Sequence, residues 1–349
     1  MFKRTLTMNT SQMSKRVLVL AVVFLLSCSI PLHDVLGYNP TFSHSGTAYV
    51  YSNNPEAVTG SGYTISKYLT AGSYYDVEFY HRVLSANMQV GLAIMNRGAS
   101  TATITVTAYA IQFNQDGKIA AAVVERDYWN ALNSKTMTIA PNGAQWALRP
   151  NQTPNQSDTV VGKVRLSSNT SNVEIRVVFG PQLDGASVAM SYLPATTTPP
   201  SGEYTGQTTG YFLHDGLTAP YSYSASDPSF VLPGWDALLP TTRNEYEDAQ
   251  SGYVRVGPDG PLAASGVALG GNYGMTYAIT ISGASGKTLS IRPKSGYSGT
   301  IVVRTPSSSW VYYNIAAGGS QTLSITSGSW ILGVVQPGGN MSNFTFGVS

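Results

Sequence analysis

Charge is the scarcest commodity in this chain. Asp, Glu, Lys and Arg make up 11% of its 349 residues, against roughly 25% in an average soluble protein. The formal net charge is +2, but four of the 20 basic residues (Lys3, Arg4, Lys15, Arg16) and one of the 18 acidic ones (Asp34) precede Tyr38. Without that stretch 16 basic and 17 acidic residues remain. A near-neutral chain of this kind has no electrostatic footprint for nucleic acid or for anionic membranes. Cysteine is nearly absent: Cys28 stands alone. Beyond it there is no disulfide, thiol nucleophile or cysteine-based metal site. Histidine is scarce too, with His44, His81 and His214 after the first 37 residues and no second histidine at metal-ligand spacing. Long apolar runs are missing downstream, so the chain beyond the leader is expected to carry no transmembrane segment.

What is abundant is apolar and uncharged polar. Hydrophobic residues reach 42%, with 22 tyrosines and 35 glycines. Low charge therefore does not mean disorder here. The mixture suits hydrogen-bonded sheets with uncharged polar outer faces.

The first 37 residues read as a signal peptide. Lys15 and Arg16 precede an apolar run from Val17 to Leu26, and Pro31 and then Val35-Leu36-Gly37 follow. Ten apolar residues are too few to span a bilayer but suit the core of an export signal, with cleavage expected after Gly37. Leu25-Leu26-Ser27-Cys28 also resembles a bacterial lipobox, in which Cys28 would carry a lipid anchor. Removal of Cys28 with the leader is the other reading. Either way the expected location is secreted or attached to the cell surface.

Ala195-Thr196-Thr197-Thr198-Pro199-Pro200-Ser201-Gly202 reads as an extended linker. It divides the chain into residues 38–194 and 206–349, with 195–205 between them. Tyr75 to Val83, Met88 to Met95, Thr103 to Ala110, Ile119 to Val124, Thr136 to Ile139, Val160 to Leu166 and Val173 to Phe179 read as strands of the first half. Only Glu125 to Leu132 looks helical. In the second half Tyr277 to Ile281, Thr288 to Ile291, Thr300 to Val303, Trp310 to Ile315, Thr322 to Ile325, Trp330 to Val335 and Asn343 to Val348 read the same way. β-Branched runs punctuated by Gly, Asn and Asp every 8–12 residues indicate antiparallel sheets. The expected fold is all-β: two antiparallel sandwich or jelly-roll-like domains.

Chemical motifs are sparse. Gly286-Lys287-Thr288 ends like a phosphate-binding loop but lies between two β segments and lacks the leading glycine, so a hairpin turn is expected. His81, in a Tyr-rich strand, is expected to be a hydrogen-bonded packing residue. His214-Asp215 has the makings of an oriented imidazole, yet no serine is marked as its nucleophile. Glu245, Glu247 and Asp248 form the densest acidic cluster. They are a candidate weak cation site or hydrolytic pair, but a solvated loop is the plainer reading. The aromatics carry the most promise: Tyr273, Tyr297, Trp310 and Tyr312 are candidate binding residues, since amphipathic rings stack on sugars. Filling a sandwich core is the plainer role for them.

Tyr51-Ser52-Asn53-Asn54-Pro55-Glu56-Ala57-Val58, Phe79-Tyr80-His81 and Gly91-Leu92-Ala93-Ile94-Met95-Asn96 resemble segments of secreted β-rich proteins of spore-forming Gram-positive bacteria. Gly271-Asn272-Tyr273-Gly274, Tyr277, Arg292-Pro293 and Gly296-Tyr297-Ser298-Gly299 resemble later segments of the same proteins. Such proteins often carry a copper amine oxidase N-terminal-like domain, but no copy of it is seen here. The resemblance implies an extracellular or cell-envelope location and brings no catalytic residue. The expected function is therefore non-enzymatic, without a cofactor. The partners are cell-wall or extracellular polysaccharide, or other copies of the chain assembling through the Asn343 to Val348 strand. A secreted polysaccharide hydrolase is the remaining alternative.

Overall fold

A computed structural model describes residues 42–53, 56–181, 183, 185–191, 209–212, 214–232, 273–294, 296–340 and 344–349. The leader with Cys28, the linker at 195–205 and the cluster Glu245, Glu247 and Asp248 lie outside these residues.

The described chain is all-β, built as two pairs of packed sheets. The first pair opposes a sheet ordered β12 (Thr209–Phe212), β2 (Ala48–Ser52), β5 (Tyr74–Val83), β10 (Thr159–Ser168), β7 (Ala102–Asn114) and β8 (Lys135–Ile139), with β3 (Ala57–Val58) also on β5, to a second sheet. That second sheet runs β4 (Gly62–Tyr68), β11 (Val173–Pro181), β6 (Met88–Asn96), β9 (Ala144–Leu148). Val77, Phe79, Val164 and Leu166 from one sheet meet Ile65, Leu92, Ile175 and Val177 from the other in a single core. Period-two alternation places these residues on one face, as a sandwich requires.

The second pair opposes β1 (Ser43–Ser45), β13 (Gly216–Ser222), β15 (Thr276–Ser282), β20 (Ser329–Val335), β17 (Gly299–Arg304) and β18 (Val311–Ile315) to a four-stranded sheet. The latter is ordered β14 (Ser229–Val231), β21 (Phe344–Val348), β16 (Thr288–Pro293), β19 (Gln321–Ser324). Ile279, Ile301, Leu332 and Val334 pack there on Leu289, Ile291, Phe344 and Phe346.

The two sandwiches exchange strands. β1 precedes β2 in the chain but joins the second sandwich, and β12 follows the linker but completes the first. Residues 43–52 run antiparallel to 209–218 in one unshifted register, from Ser43↔Thr218 to Ser52↔Thr209. This ribbon crosses from one sandwich to the other, and the described residues belong to one compact unit.

Four expectations are corrected. The sheets are not wholly antiparallel, because β2 and β3 run parallel to β5, and β13 parallel to β15. Ile119 to Val124 is not a strand: helix α1 spans Gly117–Trp129. Asp116 caps it by accepting the Lys118 N–H at 3.0 Å, and Ala120, Ala121 and Ala122 let it approach the sheet closely. Gly286-Lys287-Thr288 is not a hairpin, since β15 and β16 belong to opposite sheets. The expected C-terminal edge strand is not an edge: β21, Phe344–Val348, is paired on both sides, by β14 and β16. A second, short helix, α2, covers Ala186–Ser191. No helix among the described residues is long and apolar enough to cross a membrane.

Candidate functional site

Helix α1 is wedged between the sandwiches. Ala120, Ala121, Val124 and Tyr128 pack on Ala108, Ala110 and Val161 of the first, while Ala122 and Trp129 meet Val302, Trp310 and Val335 of the second. Its C-cap residue Asn130 donates to the Trp310 carbonyl at 3.0 Å and accepts the Trp310 N–H at 2.9 Å. That reciprocal pair fixes the helix end to the start of β18.

Beneath the helix lies a layer of charge. On β5, Asp76 and Glu78 alternate with the core residues Val77 and Phe79, and on β10 Lys163 and Arg165 alternate with Val164 and Leu166. The register pairs Lys163 with Glu78 and Arg165 with Asp76 directly across the strands. Such a face would ordinarily meet water. Here the second sandwich and α1 cover it, and Asp76, Glu78, Glu125 and Lys163 are all fully buried.

Each cation holds two carboxylates. Lys163 Nζ lies 3.1 Å from Glu78 Oε2 and 3.0 and 2.9 Å from the two oxygens of Glu125. It also donates to the Gly274 carbonyl at 2.6 Å. The rings of Tyr49, Tyr128 and Trp129 surround the ammonium at 5.1–5.5 Å. Arg165 grips Asp76 with both Nε (2.6 Å) and Nη2 (2.9 Å), and Nη2 also reaches Asp215 Oδ2 at 2.9 Å.

Each pair sets two buried carboxyls against one cation, which favours the protonated form of Glu125 in one pair and of Asp215 in the other. Burial, and then the charge of Glu78, raise the Glu125 carboxyl well above the ordinary range. Burial alone would lower Lys163, but Glu125 and Glu78 keep it raised and charged. Asp215 is pushed up to about 7, first by burial and then by Asp76, against the pull of the Thr47 N–H and Arg165. The folded chain thus keeps a proton on Asp215 that the unfolded chain has already lost. This group's contribution to stability falls as pH rises from about 4 to about 7, and is level above that. Asp215→Asn should remove that fall. Urea midpoints of both proteins across this window check it: the wild-type value should decline relative to the variant's as pH rises.

A cleft of about 580 Å³ opens beside this layer, lined by Trp129, Trp310, Arg304, Thr305, Pro306 and Ile331, among others. The two indoles are 6.0 Å apart and tilted by 38°. Trp310 lies against β20 because Gly333 has no side chain; a Cβ there would come within 2.7 Å of its ring. Only 8% of Trp310 is exposed, whereas Ile331 is 55% exposed. Trp129 belongs to both features: its ring borders the cleft, and its Nε1 donates to Glu125 Oε2 at 2.8 Å.

The four aromatic candidates are not brought together as one platform. Trp310 lines the cleft. Tyr312 is half-buried in the α1 contact, with the Arg126 guanidinium 5.4 Å from its ring centre. Tyr273 is a core residue whose hydroxyl donates to the Asn340 carbonyl. Tyr297 sits half-buried in the connection from β16 to β17. His81 is fully buried, 3.0 Å from Ser52 Oγ through Nε2 and packed near Phe179. The Asp215 carboxylate is committed to Thr47 and Arg165. Among the described residues no three His, Cys, Asp or Glu side chains converge as a metal-binding set. Sequence reasoning missed Trp129 and, apart from Asp215, the charged layer.

No family model and no curated protein matches the chain. Solved structures align with it over most of its length but poorly. The CUB1-EGF-CUB2 domain of human MASP-1/3 covers 81% of this chain and 98% of its own at 8% identity, with a TM-score of 0.19. Oxalate decarboxylase of Lactobacillus farciminis covers 88% and 86% at 11% identity and 0.16. Vicilin from tomato covers 82% of each at 10% and 0.14. Likeness at this level lends the chain no function.

Proposed function

We propose that this is an exported, non-enzymatic binding protein that takes extracellular or cell-wall polysaccharide in the cleft between helix α1 and the second sandwich. The cleft itself carries the reading: it is lined by Trp129, Trp310 and Ile331 together with Arg304 and Thr305. Apolar walls with a few polar groups match the two faces of a sugar ring. The export signal expected over the first 37 residues and the low charge support work outside the cell.

The test is a tryptophan-fluorescence titration with soluble wall and capsular polysaccharide fractions. Binding should shift the emission, because both indoles border the cleft. Ile331→Asp, at an exposed position, should weaken it about tenfold, or ~1.4 kcal/mol, without changing the urea midpoint; Arg304→Ala should act in the same direction. Emission that stays constant across all fractions would remove polysaccharide as the ligand.

A further inference from the structure

We propose that Lys163 and Glu125 join in a spontaneous amide cross-link, with Glu78 as the proton carrier. The geometry is that of two reactants held together and kept from water. Lys163 Nζ faces the Glu125 carboxyl squarely, 3.0 and 2.9 Å from its two oxygens. The Gly274 carbonyl steadies the nitrogen from another side at 2.6 Å. The Trp129 N–H, 2.8 Å from Glu125 Oε2, polarises the carboxyl that is to be attacked. Glu78 Oε2 stands 3.1 Å from the same nitrogen, while its buried Oε1 receives no N–H or hydroxyl donor and Glu78 shares a hydrogen bond with the Glu125 carboxyl itself. Glu78 is thus placed to take up a proton.

The step balances without any further reactant. The step runs from the state in which Lys163 is an ammonium, the negative charge lies on Glu78 and the acid proton lies on Glu125. Glu78 takes a proton from Nζ. The freed amine then adds to the Glu125 carboxyl carbon, once that group turns about its Cγ–Cδ bond to present a face. The C–N bond forms, the C–O bond breaks, and one water leaves with the second nitrogen proton and the acid's hydroxyl. Products are a neutral amide and a neutral Glu78 acid. In water the reverse direction is favoured, because free ammonium and carboxylate are strongly hydrated. Here all three side chains are fully buried, so that hydration is already lost and replacing an ion pair by an amide removes charge from an apolar site. Holding the groups in contact supplies the rest of the drive, as in other intramolecular reactions.

Such a bond would tie α1 to β10 and so lock the element that both sandwiches share. It concerns the interior of the fold and stands apart from what the cleft binds.

Peptide mapping by mass spectrometry of the full chain, purified in its folded state, decides the matter. The expected product is a branched peptide containing Lys163 and Glu125, lighter by one water than its two parts. Glu78→Gln keeps the shape of the site but takes no proton, and should give the two peptides separately. Protein collected unfolded in denaturant should also give them separately, then acquire the branch on refolding. Unlinked Lys163 and Glu125 peptides from the folded wild-type protein would overturn the proposal. So would a branch that persists undiminished in Glu78→Gln.

Discussion

Replacing Lys163 with Met is expected to cost the protein about 3–5 kcal/mol of stability, measured as a fall in the urea midpoint at neutral pH. The loss does not come from the lysine stem, whose volume Met nearly preserves. It comes from Glu78 and Glu125, two buried carboxyls that together carry one negative charge balanced by the Lys163 ammonium. Removing the cation leaves that charge uncompensated at 0% exposure, and a desolvated carboxylate is among the most unfavourable groups a core can hold. The variant must take up a second proton or open the α1 contact to water. Its deficit should therefore shrink at acid pH. A second arm isolates the cause: adding Glu78→Gln and Glu125→Gln to Lys163→Met should recover much of the loss. Each Gln retains an oxygen to accept from Tyr49 Oη or Trp129 Nε1 but brings no charge. If the triple variant is no more stable than the single one, packing rather than charge holds the layer together. Where the amide has formed, the substitution both removes the cross-link and releases Glu125 as a second buried carboxyl beside Glu78 with no cation, so the loss has the same sign.

Much of the fold was legible because alternation is a local signal. Val77 and Phe79, Val164 and Leu166, Ile279 and Ile281 announce strands with one inward face, and the structure places all of them in sandwich cores. The same rule misleads on the opposite face. Asp76, Glu78, Lys163 and Arg165 alternate as solvent-facing residues do, and nothing local says that a helix and a second sandwich will cover them. The one available clue is statistical. In a chain with so little charge, two strands that each carry like-signed residues two positions apart invite cross-strand pairing. The first two turns of helix α1, Gly117 to Val124, were missed for a different reason, while Glu125 to Trp129 was expected to be helical. Ile119, Val123 and Val124 mimic a β-branched run, whereas the cap Asp116 and the alanine triplet argue for helix. Here close packing on Ala108 and Ala110 rewards small residues. The cleft was illegible because its walls come from both halves: Trp129 and Trp310 are far apart in sequence and meet only once the sandwiches are joined.

Gly274→Ala should be nearly as damaging, at about 3 kcal/mol, although it adds a single methyl group. Two independent penalties meet at this residue. Its φ of +76° lies in the left-handed region, which costs a residue with a Cβ roughly 1–2 kcal/mol. The new methyl would also overlap Glu78 Oε2 and Tyr49 Oη, forcing apart a hydrogen bond of 2.8 Å in a site with no slack. Overpacking of that kind typically adds about 1–3 kcal/mol. Glu78 cannot simply swing away, because Lys163 holds the same oxygen, and the Gly274 carbonyl is itself a ligand of that ammonium. The backbone of the second sandwich and the charges of the first are thus fitted to each other at one atom's resolution. Gly283→Ala serves as the control. It too has a left-handed φ, +72°, but the nearest atom to its Cβ is the Tyr223 carbonyl oxygen at 3.5 Å, so it should show the backbone penalty alone. Equal losses in the two variants would mean that the crowding against Glu78 and Tyr49 carries no energy, and that the joint between the sandwiches is looser than its distances imply.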